Sequence, residues 1–284
     1  MMMMTQRNYL LHALSALHVG TGQSVGTVDL PIARARASNL PLVPGSALKG
    51  VLRDELKLTD NDKKTLFGPE SNAMESAHAG AIAVGDANLL ILPIRSFAGT
   101  VAFATCSYIL KHYARDLALK DRIPVPAAET ANIGTTSDLK LGNKIALEDL
   151  DLIANNNADT QNWASKIAKA LYPTDTDWQN EFTRRFVILP DDIFSFLAET
   201  ATEIRMRISI DRNTRIVKKG ALWSEENLPA ESVLWGVIGI SKSRDKTNDK
   251  SAEDLAKLLP KDEVTLQIGG KHTVGRGLCR LVIA

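Results

Sequence analysis

Few side-chain groupings in this chain could do chemistry, and most of the familiar ones fail on spacing. The five histidines, His12, His18, His78, His112 and His272, form no H-E-x-x-H or similar ligand array, so a structural metal cage is not indicated. Cys106 and Cys279 lie far apart, without a CxxC pattern or a histidine at zinc spacing, and neither has the context of a nucleophile. Both read as small core residues, with a reducing cytoplasm as the simplest compartment. There is no G-x-S-x-G elbow. Gly20-Thr-Gly22-Gln-Ser-Val-Gly26 brings its third glycine one residue late for a dinucleotide fingerprint, and Gly45-Ser-Ala-Leu-Lys49-Gly50 is followed by Val51 and Leu52 where a P-loop needs Lys and Ser or Thr. Nicotinamide and nucleoside-triphosphate chemistry are therefore set aside.

What remains is positive charge and glycine. Arg205, Arg207, Arg212, Arg215, Lys218 and Lys219 crowd into one segment around Asp211, the densest local excess of positive charge in the chain. Phosphates need such charge, although a solvated strand face reads the same way. Gly269-Gly270-Lys271-His272-Thr-Val-Gly275-Arg276-Gly277 joins close backbone approach and several N–H donors to cationic side chains, against the plainer reading of a tight turn. A helix starting near Pro44-Gly45 would offer its first amides, the Ser46 hydroxyl and Lys49 to an anion, though alone it is only a capped helix. Asp29, in Gly26-Thr-Val-Asp29-Leu-Pro31-Ile, reads by itself as an Asx-type turn before proline.

Elements must position these groups. The 284 residues, 44% hydrophobic, are enough for a full core in one large domain or two small ones. A formal net charge of +1 advertises no global field, so any nucleic-acid surface must be local. No apolar run approaches the ~20 residues that span a bilayer, and no membrane partner is expected. A strand within Tyr9 to His18 should run into the first glycine loop, and Ser46 should cap a helix over Ala47 to Leu56. Two short strands joined near Gly85-Asp86 and a helix over Thr105 to Ala118 should follow. Glu203 to Asp211 alternates charged with apolar residues, the period of a strand with one wet face. A turn over Asp211 to Thr214 would then return it as a projecting hairpin. The polar 241–250 stretch reads as a mobile loop, and Val264 to Ile268 with Leu278 to Ile283 as a closing strand pair. Strands and helices interrupted by irregular insertions indicate α+β, not a doubly wound parallel sheet.

Taken together, the motifs resemble the RAMP superfamily, and within it the backbone ribonuclease subunits of type III-B (Cmr) CRISPR effector complexes. The resemblance is carried by His18-Val-Gly20-Thr-Gly22, Gly26-Thr-Val-Asp29-Leu-Pro31-Ile, Pro44-Gly45-Ser46-Ala-Leu-Lys49-Gly50, Leu66-Phe67-Gly68 and Gly85-Asp86-Ala87. Pro93-Ile-Arg95-Ser96, Thr105-Cys106, Gly220-Ala-Leu-Trp223-Ser-Glu225-Glu226-Asn-Leu-Pro229 and the loop from Gly269-Gly270 to Gly277 continue it.

This resemblance implies a single RAMP domain over 1–284. It would have a ferredoxin-like RNA-recognition palm, a helical insertion at about 147–200 and a β-hairpin thumb at about 203–230. It implies a guide CRISPR RNA, a target RNA, filament copies of the chain and other effector subunits as partners. Ser46, Lys49, Arg53, Arg205, Arg207, Arg212, Gly269, Gly270, Lys271 and Arg276 would hold RNA. The thumb would displace a nucleotide at regular intervals, and the essential carboxylate would be Asp29. It would act as a general base on a 2′-hydroxyl or as a ligand for a divalent metal, Mg2+ or Mn2+. His18 and one of Glu225 or Glu226 are the further catalytic candidates, with core packing and plain solvation as their competing readings. An architectural RNA-binding subunit and a guide-processing endoribonuclease are the alternative functions.

Overall fold

A computed structural model describes residues 4–23, 26–69 and 78–284 of the chain. From the N-terminus come β1 (Thr5–Ala13), β2 (Leu42–Val43), α1 (Gly45–Glu55), α2 (Asp60–Phe67), β3 (Ile82–Val84), β4 (Ala87–Arg95), β5 (Val101–Cys106) and α3 (Ser107–Asp116). The middle holds β6 (Thr130–Ile133), β7 (Lys144–Leu147), β8 (Leu150–Asn156), α4 (Ala158–Leu171), α5 (Thr176–Arg184), β9 (Phe186–Leu189) and α6 (Asp191–Thr200). The chain ends with β10 (Glu203–Ile210), β11 (Val217–Asn227), β12 (Val233–Ile240), α7 (Ala252–Ala256), β13 (Val264–Gln267) and β14 (Leu278–Ile283).

Among the described residues the strands make one twelve-stranded sheet, in the order β13-β14-β1-β12-β4-β5-β9-β6-β8-β7, with β2 beside β4 and β3 beside β12. A separate two-stranded sheet pairs β10 with β11. Within the large sheet β14, β1, β12 and β4 are each antiparallel to their neighbours. In the chain α1 lies between β1 and β4, and α7 between β12 and β14. Among the described strands of the large sheet, parallel pairing is confined to β5 with β9 and β6 with β8, so the α+β expectation holds at the level of a mixed, mainly antiparallel sheet.

The local reasons are in the sequence. β1 is buried from Leu10 to Ala13 because it lies between β12 and β14, and Tyr9 stands against its cross-strand partner Gly236, where any Cβ would collide with the phenol. The helix expected from Ser46 begins instead at Gly45, after Pro44. Asp86 reaches across to accept the Gly45 N–H at 2.8 Å, doing what an N-cap side chain would do, and Ser46 falls inside the first turn. Only glycine fits at position 45, since a Cβ there would lie 2.2 Å from the Val84 carbonyl oxygen.

The 147–200 segment is more than helical. Its β8 and β9 extend the large sheet, and Phe186-Val-Ile-Leu189 is buried throughout because β5 flanks it on one side and β6 on the other. The 241–250 stretch, expected to be mobile, is tied down by polar contacts. Ser243 N–H donates to the Lys250 carbonyl at 2.9 Å, Asn248 donates to the Thr65 hydroxyl at 2.8 Å, and Lys250 pairs with Asp62.

Candidate functional site

The β10–β11 hairpin projects with its two faces differently dressed. Ile204, Met206, Ile208 and Ile210 point to one face and are roughly half exposed, joined by Leu222 and Val217 across the register. The turn closes as the sequence predicts, with Asp211 accepting from the Asn213 and Thr214 N–H groups. These donors hold the Asp211 carboxyl below the ordinary carboxylate range. Arg212, Arg215, Lys218 and Lys219 are exposed at the tip. Arg207 is half-buried opposite Trp223, and Arg205 is engaged by Glu203 at 2.8 Å, so the positive character lies toward the tip.

At its inner end β11 becomes buried, and four successive residues reach different parts of the fold. Ser224 donates from Oγ and from its backbone N–H to Asp29 Oδ2, each at 2.7 Å, and its Oγ accepts the Asp29 N–H at 2.9 Å. Asp29 itself is exposed, and these bonds, the backbone one first, hold its carboxyl below the ordinary range. Glu225 is fully buried and faces Arg276 of the glycine loop at 3.7 Å, with neither of its oxygens hydrogen-bonded within the protein. Glu226 accepts from the Ile32 N–H at 3.0 Å, from Arg34 at 2.6 Å and from the Thr202 hydroxyl at 3.0 Å. Asn227 completes the buried run and is followed by Leu228, which pairs with Leu17.

His18 lies in the same knot. Its Nδ1 donates to the Glu226 carbonyl oxygen at 2.7 Å, which fixes the proton on Nδ1, since a carbonyl can only accept. The other ring nitrogen faces Gly20, where a Cβ would sit 2.7 Å away. The glycine loop folds over this histidine, with Gly270 N–H on the His18 carbonyl at 3.0 Å and Gly277 N–H on that of Ala16 at 2.9 Å. Gly269 and Gly277 have φ of +80° and +77°, and a Cβ on Gly277 would lie 2.0 Å from the Ile268 oxygen. Lys271 adopts a left-handed conformation in the same loop.

The sequence candidates therefore divide. Asp29, His18, Glu225, Glu226, Gly269, Gly270 and Arg276 come together around the inner end of β11. Glu226 and His18 are buried and already bonded, which suits anchoring, and Arg276 is turned inward to Glu225. Ser46, Lys49 and Arg53 share one face of α1 by their spacing, with Ser46 exposed and the other two partly so. Sequence reasoning passed over Ser224, although it lies between Trp223 and Glu225 in a motif that carries the resemblance, and Arg34, which had no signal. Among the described residues no group of three or more His, Cys, Asp and Glu side chains could hold a metal ion, and no helix is long and apolar enough to cross a membrane.

Comparison with known proteins fits this geometry. The profile of the RAMP superfamily matches residues 10–280, and the chain belongs to that family. It is 35% identical over 286 residues to the CRISPR system Cmr endoribonuclease Cmr4 of Pyrococcus furiosus, covering 96% of this chain and 94% of that protein. It is 26% identical over 304 residues to the CMR subunit Cmr4 of Saccharolobus solfataricus, with the same coverage. Among solved structures, the crystal structure of oligomeric Cmr4 from P. furiosus superimposes with a TM-score of 0.73 at 26% identity, over 99% of each chain. A chain of the type III-B Cmr-beta complex bound to cognate target RNA superimposes at 0.76, over 98% of this chain and 97% of that one, and at 20% identity shares the fold.

Proposed function

We propose that this chain is the guide-RNA-binding backbone subunit of a type III-B CRISPR effector complex and cuts complementary target RNA endonucleolytically, with Asp29 as the essential carboxylate. The observation that carries this reading is an exposed carboxylate held rigidly at the root of a projecting hairpin, beside a glycine loop. The antiparallel unit β14-β1-β12-β4, with its two crossover helices, is the ferredoxin-like palm, and β10–β11 is the thumb. Guide and target RNA, further copies of the chain and other effector subunits are its partners. The two buried free cysteines suit a cytoplasmic setting.

Cleavage then has a simple physical form. In regular A-form RNA the 2′-oxygen is badly aligned with phosphorus and the leaving 5′-oxygen. The half-exposed apolar face of the hairpin can wedge between bases and bring the three into line. The 2′-oxygen forms a bond to phosphorus as the P–O5′ bond breaks, so the 2′-hydroxyl proton must leave and the 5′-oxygen must gain one. Asp29, charged at neutral pH, takes that proton or holds a hydrated cation at the phosphate. Mg2+ or Mn2+ would be held by the exposed Asp29 carboxylate with water and RNA oxygens, and would supply positive charge where negative charge develops.

The deciding experiment is Asp29→Ala in the reconstituted complex. Target cleavage should be abolished while assembly and target binding persist. A variant complex that cuts at the normal rate would refute the assignment, and a wild-type complex that binds but never cuts would favour the purely architectural role.

A further inference from the structure

We propose that Ser224 is a positioning residue for target cleavage, whose hydroxyl fixes the orientation of the Asp29 carboxylate. This rests on the assignment of Asp29 above. Both donors of Ser224 converge on the same oxygen, Oδ2, at 2.7 Å, and the hydroxyl oxygen accepts the Asp29 N–H in return. A carboxylate gripped in this way does not rotate about its last bond. The second oxygen, Oδ1, is thereby aimed at one place, and it is the one left to meet a 2′-hydroxyl or a cation-bound water. Orientation of this kind is worth far more in rate than in binding, because it acts on the reacting atoms alone.

The hydroxyl is not what holds the two segments together. Leu30 N–H donates to the Ser224 carbonyl at 3.1 Å and Glu226 N–H donates to the Leu30 carbonyl at 3.0 Å, forming a short parallel bridge centred on Leu30 and Glu225. Glu226 adds its own bond to the Ile32 N–H. With the backbone register set independently, loss of one hydroxyl should leave the fold in place and leave the carboxylate on the Ser224 N–H alone, able to swing about that single bond. Ser224 is also a hairpin residue, paired across the strands with Met206 on the exposed apolar face. The strand that meets RNA therefore carries the group that aims Asp29.

The test compares Ser224→Ala and Ser224→Thr in the assembled complex, measuring single-turnover cleavage at saturating target together with target affinity. Ser224→Ala should lower the cleavage rate roughly 10- to 100-fold, the usual worth of a hydrogen bond to a charged group, at unchanged affinity. Ser224→Thr, which keeps the hydroxyl, should restore most of the rate. Wild-type cutting by Ser224→Ala, equal losses in the two variants, or a loss that merely follows weaker target binding would overturn the proposal. So would a Ser224→Ala chain that fails to assemble where Ser224→Thr succeeds, since the hydroxyl would then be a folding element. Asp29→Ala run alongside separates the two assignments. If that variant cuts, the role of Asp29 fails; if it is dead while Ser224→Ala is normal, only the role of Ser224 fails.

Discussion

Glu226 offers the sharpest way to separate anchoring from chemistry at this site. Its side chain is 7% exposed and gathers three donors from two segments, the Ile32 N–H and Arg34 guanidinium from one and the Thr202 hydroxyl from the other. Glu226→Ala removes both acceptor oxygens, and with them all three bonds, and leaves Arg34, whose side chain is only 17% exposed, without its carboxylate. Breaking one side of a buried ion pair costs about 3–5 kcal/mol, and the orphaned N–H and hydroxyl push the total toward the upper end of that range. Glu226→Gln keeps one acceptor oxygen and the same shape, so its loss should be about 1–3 kcal/mol. Urea unfolding of the isolated chain measures both. The two variants should differ widely in stability, with cleavage by the Gln variant close to wild type once assembled. A Glu226→Ala chain as stable as wild type would refute the anchoring role. So would a Gln variant that folds and assembles normally yet no longer cuts, which would put the carboxylate in the chemistry.

Two further outcomes follow from charges elsewhere in the fold. Replacing Arg212, Lys218 and Lys219 at the hairpin tip with alanine should make the logarithmic salt dependence of RNA binding shallower by about 2, at ~0.7 for each phosphate no longer neutralised, whereas Arg205→Ala should change it little because Glu203 engages that guanidinium. An unchanged slope in the triple variant would place the RNA elsewhere. The second outcome concerns Asp62, whose bond from Lys250, helped by Thr59 and opposed by burial, holds its carboxyl below the ordinary range. A carboxyl more acidic in the folded state stabilises the fold above its unfolded value of about 4 and loses that contribution as pH falls through the lower folded value. Protease nicking near 241–250 should therefore rise on acidification below about pH 4 in the wild type, and Asp62→Asn should show raised nicking already at neutral pH.

Much of the scaffold was legible along the chain because its signals are local. The alternation from Glu203 to Ile210, the turn over Asp211 to Thr214, the strand pair around Gly85 and the helix within Thr105 to Ala118 all stand where their patterns put them. What escaped depends on distance. The grip of Ser224 on Asp29 joins residues 195 apart, and nothing beside either one announces the other. The capping of α1 escaped for the same reason, since Asp86 arrives from the connection between β3 and β4. β9 escaped because four apolar residues say that they are buried without saying which strands will flank them. One missed inference was available: neighbours on a strand face opposite sides, so Glu225 and Glu226 could not share one task, and they reach Arg276 and Arg34 respectively.

The borders of the large sheet bear on how copies of such a chain can meet. Its two outermost strands, β13 and β7, are four residues each, too short to template a lasting ladder with another molecule. Self-association by adding strand to strand is thus discouraged in the free protein. Contact between copies would then rest on side-chain surfaces and not on a ladder shared from one molecule to the next.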